Sequence, residues 1–335
     1  MSSGNSRPPT PGGDWEWDPT AMSLALCALS HTPVMGVHQP ADDVVTRVEA
    51  ALDDARAFIA DVDPELVVVF APDHYNGFLY DLMPPFCIGA QATAVGDYGT
   101  SAGPLPVDRD TARALASAVL HAGVDVTFSE RMTVDHGCAQ PLDLLFGGID
   151  TVPVVPVFIN CVAEPLGPVS RVRRLGEAIG RAAATLDRRV LLLGSGGLSH
   201  DPPVPRFSEA PPEVAERLIS GRNPTPEERA ARQARVFDAA LAYAAGTSDL
   251  MPLNPDWDRR FLAVLAAGDL SEIDSWTNES FVQEAGHSSH EVRTWLAAHA
   301  ALGAAGPYQV RSTFYEAIPE WIAGFGVTTA HARGR

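Results

Sequence analysis

Short apolar runs alternate with amphipathic stretches through the first two-thirds of this 335-residue chain. The runs at 23–30, 65–74 and 188–200 are continuous and end in turn residues, which is typical of strands that are buried on both faces. The stretches at 45–62 and 170–189 carry apolar residues at helical spacing. This alternation of strands and helices predicts an α/β fold built around a central sheet.

After about residue 212 the pattern becomes helical. Four stretches there have apolar residues at helical spacing, namely 211–220, 226–246, 255–268 and 288–306. We therefore predict a single domain in which helices flank a central sheet and a helix-rich C-terminal part covers it. Residues 1–21 are rich in Ser, Gly and Pro and are predicted to form a disordered tail, so that the folded domain is 22–335.

The chain is strongly acidic, and its cations are of one kind. Arg and Lys total 24 against 42 Asp and Glu, which gives a formal net charge of −18 and argues against a nucleic-acid or anionic-membrane partner. All 24 of these cations are Arg. Without lysine, the chain cannot form an internal Schiff base, anchor pyridoxal phosphate or build a Walker A site.

Cysteine usage and hydropathy predict a cytoplasmic protein. Cys27, Cys87, Cys138 and Cys161 include no C-x-x-C pair, so neither a disulfide framework nor a cysteine zinc site is expected. No apolar run reaches the roughly 18 residues of a membrane span. The first residues also lack the basic flank and apolar run of a signal peptide.

Four of the ten histidines fall at or just beyond predicted strands. His31, His74 and His200 come at the ends of three apolar runs, and His136 lies in the loop after the predicted strand 124–128. Ligands of open α/β sheets bind beyond the carboxyl ends of the strands, so these four side chains are expected to converge. A single loop histidine is more often structural, but four in corresponding positions favour a shared site.

Two local motifs also have structural interpretations. Gly194–Gly197 hints at a dinucleotide-binding loop, but Ser199 stands where the third glycine of that motif belongs. A tight turn that delivers His200 is the better interpretation. Ser288 and Glu291 form an S-x-x-E capping box, which on spacing alone explains Glu291 better than a role as metal ligand does.

The residue types of the predicted site suit two metals. Two imidazoles and one carboxylate with an open face suit non-haem Fe(II), which binds substrate and dioxygen together. Three nitrogen or oxygen ligands with one open position suit catalytic zinc and hydrolysis instead. Composition leaves both open.

Several longer segments identify a family. They are LSHTP (29–33), FAPDHYNGF (70–78), MPPFCIGAQATAVGDYG (83–99), TVDHGCAQPL (133–142), LLLGSGGLSHDPP (191–203) and IPEWIAGFG (318–326). In this order they resemble the class III extradiol ring-cleavage dioxygenases. The resemblance runs from Met22 to about Ala330, and it implies that 22–335 is a catalytic domain of this kind.

The resemblance implies a metal site. The histidines of the S-H-T-P and P-D-H motifs, His31 and His74, correspond to two ligands of Fe(II) in that family. Glu291, just ahead of an apolar run with Trp, corresponds to the third ligand. Mn(II) in place of Fe(II) is an alternative that the ligand types leave open.

The resemblance also implies an acid–base pair. His136 of the D-H-G motif corresponds to the proton donor, and Asp135 to the acidic neighbour that tunes it. His200 of the G-G-L-S-H motif corresponds to the proton acceptor.

The reaction implied is the cleavage of a catechol with O2 beside its two hydroxyls. The expected substrate is 3-(2,3-dihydroxyphenyl)propionate, together with 2,3-dihydroxycinnamate, in the catabolism of aromatic compounds. The expected product of the former is 2-hydroxy-6-oxonona-2,4-dienedioate, and a homo-oligomer is expected. The alternatives are another carboxylated catechol, a zinc hydrolase, or a non-catalytic metal-binding scaffold of the same fold.

Overall fold

The computed structural model describes residues 24–333, so the tail predicted at 1–21 lies outside it. The strands within this range are β1 (Leu24–Leu29), β2 (Leu66–Ala71), β3 (Phe86–Gly89), β4 (Ala92–Val95), β5 (Ala102–Pro104), β6 (Thr127–Ser129), β7 (Met132–Val134), β8 (Val154–Ile159), β9 (Val190–Ser195), β10 (Tyr308–Ile318) and β11 (Ala323–Ala332).

Eight of these strands form a central sheet in the order β10-β11-β1-β9-β2-β8-β3-β6, and β5-β4-β7 form a small second sheet. The four middle strands β1, β9, β2 and β8 run parallel to one another. Every residue of these four strands is buried. Burial on both faces requires continuous apolar runs, which is why the sequence predicted these strands.

The α-helices of the described range are α1 (Asp42–Val62), α2 (Arg109–His121), α3 (His136–Phe146), α4 (Val169–Ala183), α5 (Pro212–Ser220), α6 (Pro226–Ala244), α7 (Pro255–Ala267), α8 (Asn278–Ala285) and α9 (Val292–Ala304). Each stretch that was predicted to be helical contains one of them. No helix of residues 24–333 is both long and apolar enough to cross a bilayer.

The sheet separates two apolar cores. In β2, Leu66 and Val68 pack into a core that also contains side chains of α2, α4, α7 and α9. Val67 and Val69, which point the other way, pack into a second core with α1 and α3. The predicted α/β fold, with helices on both sides of a central sheet, is confirmed.

The predicted helix-rich C-terminal part is present, and it is followed by two strands that the sequence did not predict. β10 and β11 are long antiparallel strands, and β11 also pairs with β1. The sequence of β11, AGFGVTTAHA, is rich in small and polar residues and has no apolar run. Its strand conformation is therefore set by the neighbouring strands rather than by a local pattern.

Two prolines lie in regular elements that the sequence did not clearly predict. Pro156 lies inside β8 and is paired with Val69 of β2, although proline weakens a strand prediction. Pro141 lies inside α3, in a segment that was expected to be a loop. Helix α3 begins where Asp135 accepts a hydrogen bond from the backbone N–H of Gly137, which makes Asp135 its N-cap.

Candidate active site

Three adjacent parallel strands deliver three of the predicted histidines to one edge of the sheet. His31 follows β1, His74 follows β2 and His200 follows β9, which lies between the other two strands. Because parallel strands end at the same edge, the loops that follow them meet there. The predicted convergence of these three histidines is confirmed.

His136 reaches the same place by another route. It follows β7 of the small second sheet, not a strand of the central sheet, and it is the first residue of α3. Its ring stacks on that of His74 with 4.4 Å between the centroids, and lies 5.4 Å from that of His31. His136 therefore lies beside the other histidines, as expected. It follows β7, however, and not the predicted strand 124–128.

Glu291 lies at the end of the turn 287–291 that leads into α9, and its side chain points at the histidines. Oε1 lies 3.1 Å from Nε2 of His74 and 3.3 Å from Nε2 of His200. Oε2 lies 3.4 Å from Nε2 of His31. No side-chain cap is formed at this helix start by the described residues, so the capping-box interpretation of Glu291 is wrong.

A relay from α3 fixes the ring of His31. Pro141 has no N–H, so the carbonyl of Gly137 lacks its intrahelical donor, and the Ser195 hydroxyl donates to it instead. The Ser195 oxygen then accepts a hydrogen bond from Nδ1 of His31 at 3.0 Å. With its hydrogen on Nδ1, the neutral ring presents the lone pair of Nε2 to the site.

Two different aspartates hold His74 and His136. Nδ1 of His74 lies 3.2 Å from Oδ2 of Asp135, which also accepts the His74 backbone N–H at 2.7 Å. Nδ1 of His136 lies 2.6 Å from Oδ2 of Asp97, whose other oxygen accepts the His136 backbone N–H at 2.8 Å. Asp135 precedes His136 and lies close to it, as the predicted acidic neighbour, but the carboxylate that is hydrogen-bonded to the His136 ring is that of Asp97.

His200 is held by its own loop. Its Nδ1 donates to the backbone carbonyl of Leu198 at 2.8 Å, so Nε2 is the nitrogen that faces Glu291. The ring is nearly buried, and only its edge reaches the cavity.

The glycines before His200 allow close packing. A Cβ on Gly196 would lie 2.8 Å from Cβ of Glu291, and one on Gly197 would lie 2.6 Å from the His200 ring. Neither glycine has a positive φ. The loop is therefore rich in glycine to make room for the site, and not to form a left-handed turn or to bind a dinucleotide.

The charges of the cluster favour a cation. Burial lowers the pKa of His31 to about 3, so this imidazole is neutral. Burial would raise the pKa of Glu291, but the neighbouring His200 and His31 outweigh it and hold that pKa well below its usual value. Burial would likewise lower the pKa of His200, but Glu291 raises it. Positive charge is thus stabilised beside a buried carboxylate.

Two combinations of these residues suit a metal ion. His31, His74 and His136 each offer a nitrogen within 4.8 Å of the other two. His31, His74 and Glu291 instead offer two inward-facing Nε2 atoms and a carboxylate. The second set fits a divalent cation better, because it contributes a buried negative charge and leaves His136 bound to Asp97.

A cavity of about 510 Å³ opens onto the cluster. This volume is in the usual range for small-molecule sites. Tyr75, Tyr98 and Ile322 line it, and all three have a positive φ, of 59°, 51° and 48°. Such conformations each cost about 1–3 kcal/mol and are concentrated at functional sites. The cavity therefore has the size and the backbone strain of a substrate pocket.

Two supporting residues were not predicted from the sequence. Asp97 lies in the G-D-Y-G part of the segment 83–99, and Ser195 is the last residue of β9, just before the two glycines that precede Leu198. Both segments were recognised as resembling the family, but nothing in their spacing pointed to the histidines that they hold.

Comparisons with known proteins identify the family of the chain. The model of the family described as catalytic LigB subunit of aromatic ring-opening dioxygenase matches residues 25–326. The chain is 67% identical over 311 residues to a protein of Rhodococcus sp, with 93% of this chain and 99% of the relative covered. It is 66% identical, with the same coverage, to a protein of Rhodococcus jostii strain RHA1. Both relatives are named 2,3-dihydroxyphenylpropionate/2,3-dihydroxicinnamic acid 1,2-dioxygenase.

A third relative and one solved structure extend these comparisons. A protein of Paraburkholderia phymatum with the same name is 59% identical over 310 residues, covering 92% of this chain and 98% of its own. The crystal structure of an uncharacterised protein from Escherichia coli K12 aligns with a TM-score of 0.50 at 15% identity, covering 91% of this chain and 98% of its own. At that identity the likeness concerns the fold alone.

Proposed function

The chain belongs to the family of catalytic LigB subunits of aromatic ring-opening dioxygenases, and from this premise we propose that it cleaves 3-(2,3-dihydroxyphenyl)propionate. The bond cut lies beside the two hydroxyls, both atoms of O2 enter the product, and the product is 2-hydroxy-6-oxonona-2,4-dienedioate. 2,3-Dihydroxycinnamate is the second proposed substrate, since the similar proteins are named for both compounds. The observation that carries the proposal is the meeting of His31, His74 and Glu291 at the floor of a cavity that also contains His136 and His200.

In this proposal His31, His74 and Glu291 hold Fe(II). The two histidines bind it through Nε2, because their Nδ1 atoms are engaged with Ser195 and Asp135. When bound, Fe(II) would supply a binding site for the catechol oxygens and dioxygen and a route for electron density between them.

His200 accepts a proton from the catechol. A free phenol has a pKa near ~10, so it needs a base to ionise at neutral pH. Nε2 of His200 takes this proton, because its Nδ1 hydrogen is held by the Leu198 carbonyl. Imidazole suits the task, since an ordinary imidazole takes and releases protons near neutrality. Glu291 raises the pKa of His200, and a cation bound by that carboxylate would oppose this effect.

His136 gives a proton back as the ring opens. The oxygen that leaves the O–O bond carries negative charge and needs a donor. Nε2 of His136 is the donating atom, and the Asp97 carboxylate at 2.6 Å from Nδ1 orients the ring so that Nε2 faces the cavity. Asp135 is hydrogen-bonded to Nδ1 of His74, so that Nε2 of this ring faces Glu291 and the proposed metal site.

We also propose that 22–335 is the catalytic domain and that the enzyme works in the cytoplasm. The family match spans 25–326, which supports the first part. All four cysteines are buried and free, and reduced thiols of this kind are typical of the cytoplasm.

The test is oxygen uptake after anaerobic loading with Fe(II). With 3-(2,3-dihydroxyphenyl)propionate, we expect one O2 consumed per substrate and a yellow ring-opened product that contains two labelled oxygens from ¹⁸O2. Oxygen uptake only with other catechols would support the proposed reaction but show that the substrate is a different catechol. No uptake with any catechol by the iron-loaded protein would contradict the proposed function.

A further inference from the structure

Three arginine side chains line the cavity without an acidic partner. Arg217 lies on α5, and Arg232 and Arg235 lie on α6. None of the three side chains forms an ion pair or a hydrogen bond with any residue in the range 24–333. Arg206, which lines the same cavity, is by contrast paired with Glu209.

Most arginines of residues 24–333 are paired with a carboxylate, and Arg217, Arg232 and Arg235 are unpaired ones that are grouped in one cavity wall. Elsewhere, for example, Arg47 binds both Asp43 and Glu316. A protein with an excess of carboxylates could readily have supplied one here. Cations that are grouped in a cavity wall without such a partner indicate that their anion comes from solution.

The environment of Arg232 makes it the centre of this group. Its side chain is half-buried, and burial together with the neighbouring Arg217 holds its pKa below the usual value. Arg229 and Arg235 add to the repulsion, and Glu228 only partly offsets it. A bound anion would relieve this repulsion, and partial burial would strengthen its attraction.

Helix α6 lies close to the acid–base residues. Phe237, two residues after Arg235, contacts the ring of Tyr98 with 5.9 Å between the centroids. Tyr98 in turn contacts the ring of His136 at 4.8 Å. The arginines and the histidines therefore face one cavity, and the wall that they share carries apolar side chains such as Trp321.

We propose that Arg232, with Arg217 and Arg235 beside it, binds the carboxylate of the substrate side chain. This inference rests on the proposed function and specifies how the substrate is chosen. The catechol ring meets the histidines, the two methylenes of the side chain lie along the apolar wall, and the carboxylate reaches the arginines. The site thus selects catechols whose side chain ends in an acid.

The test compares two substrates that differ only at this end. They are 3-(2,3-dihydroxyphenyl)propionate and 3-propylcatechol, which has a methyl group in place of the carboxylate. For Arg232→Gln we expect kcat/KM on the acid to fall by about tenfold to a hundredfold, the loss of one charge-assisted hydrogen bond, and mainly through KM. On 3-propylcatechol the variant should equal the wild type. Arg232→Lys should recover part of the loss, since it keeps the charge but not the planar pair of donors.

Arg229→Gln is the matched control. Arg229 lies on the same helix and carries the same charge, but it does not line the cavity and acts on Arg232 only through a repulsion weaker than that of Arg217. It should leave kcat/KM on both substrates near the wild-type values. A similar loss in Arg229→Gln would show that only the general positive potential matters, and the assignment to Arg232 would be wrong.

Three outcomes would overturn the proposal. Arg232→Gln could lose activity equally on both substrates, which would show a structural role. It could keep wild-type KM on the acid. The variants Arg217→Gln or Arg235→Gln could show the larger selective loss, which would move the carboxylate away from Arg232. Failure of the proposed function is distinguishable from all three, because the wild type itself would then cleave neither substrate.

Discussion

Each of the four site histidines points one ring nitrogen inward because the other nitrogen already has a hydrogen-bond acceptor. The acceptors are the hydroxyl of Ser195, the carboxylates of Asp135 and Asp97, and a backbone carbonyl. Such partners fix both the tautomer and the orientation of the ring. The two aspartates are hydrogen-bonded to histidines with different proposed roles. Asp135 binds His74, a proposed metal ligand, and Asp97 binds His136, the proposed acid.

The two aspartates should therefore respond differently to the same isosteric change. Asp135→Asn is expected to weaken Fe(II) binding by about 10–100-fold, the usual effect of removing a partner of a ligating histidine. Asp97→Asn should bind Fe(II) as the wild type does. At saturating iron, Asp97→Asn should have a lower kcat than the wild type. The decrease should be smaller than the roughly 10²–10⁴-fold that general acid catalysis contributes in all. Anaerobic Fe(II) titration and steady-state kinetics measure the two effects, and the reverse pattern would contradict these assignments.

The histidines themselves can be separated in the same way. His31→Ala and His74→Ala are expected to lose iron and activity together, because each removes one proposed ligand. His200→Ala should retain iron and still bind the catechol, but without taking its proton. Iron content and the anaerobic absorbance spectrum of the bound catechol report these differences. Wild-type turnover by His200→Ala would show that another group is the base.

The sequence predicted the site residues that directly follow buried strands. It did not predict the residues that reach the site through contacts with distant parts of the chain. His31, His74 and His200 follow buried strands and could be placed together. Asp97 could not be connected with His136, since 39 residues separate them and the two lie in different elements. The direction of the Glu291 side chain followed only from the family resemblance, because the spacing of its local motif by itself favours a helix cap.

At the scale of elements, the packing of α9 against α4 supports the site from behind. Glu291 immediately precedes α9, and the carbonyl of Gly196 accepts a hydrogen bond from Trp295 Nε1 of that helix at 2.7 Å. Two glycines of α4, Gly176 and Gly180, let the helix backbones approach closely. A Cβ on either glycine would overlap the backbone of α9.

Alanine at Gly180 should therefore destabilise the protein, although alanine favours a helix by about 1 kcal/mol over glycine. The overlap with the backbone at Ala301 cannot be relieved by a rotamer change, and overpacking of this kind costs about 1–3 kcal/mol or more. Gly303→Ala is the control, since its Cβ would meet Tyr308 at an ordinary 3.5 Å. Urea unfolding measures both, and equal stabilities would refute the close helix contact.

The elements that could be predicted from sequence are those whose own pattern decides their conformation. The four central strands and the long amphipathic helices belong to this group. Helix α3 was missed because Gly137 and Pro141 disfavour a helix locally, while its N-cap and its packing stabilise it. β10 and β11 were missed because their pairing partners, and not an apolar run, make them strands.

At the scale of the whole molecule, buried histidines link stability to pH. His299 is fully buried in α9, where Nδ1 donates to the Trp295 carbonyl at 2.9 Å and Nε2 has no partner among residues 24–333. Burial lowers the pKa of His299 to about 4 from its ordinary 6.5. Below pH 6.5 the unfolded chain therefore takes up a proton that the folded protein excludes, and stability falls as the pH decreases.

His299→Leu should remove this contribution. Between pH 7 and pH 5, its free energy of unfolding should fall by about 2 kcal/mol less than that of the wild type. Above pH 7 the two proteins should depend on pH in the same way, which serves as the internal control. Urea unfolding at each pH measures the difference, and parallel curves down to pH 5 would show that His299 is protonated in the folded state.

We propose that His31, His74 and Glu291 bind the metal and that His136 and His200 transfer protons. An anaerobic crystal structure with Fe(II) and 3-(2,3-dihydroxyphenyl)propionate tests this claim most directly. We predict that the ion is bound by Nε2 of His31, Nε2 of His74 and the Glu291 carboxylate. His136 should remain hydrogen-bonded to Asp97 and unligated. An ion bound instead by His31, His74 and His136, with the Glu291 carboxylate free, would contradict the claim, because the proposed acid would then be a ligand.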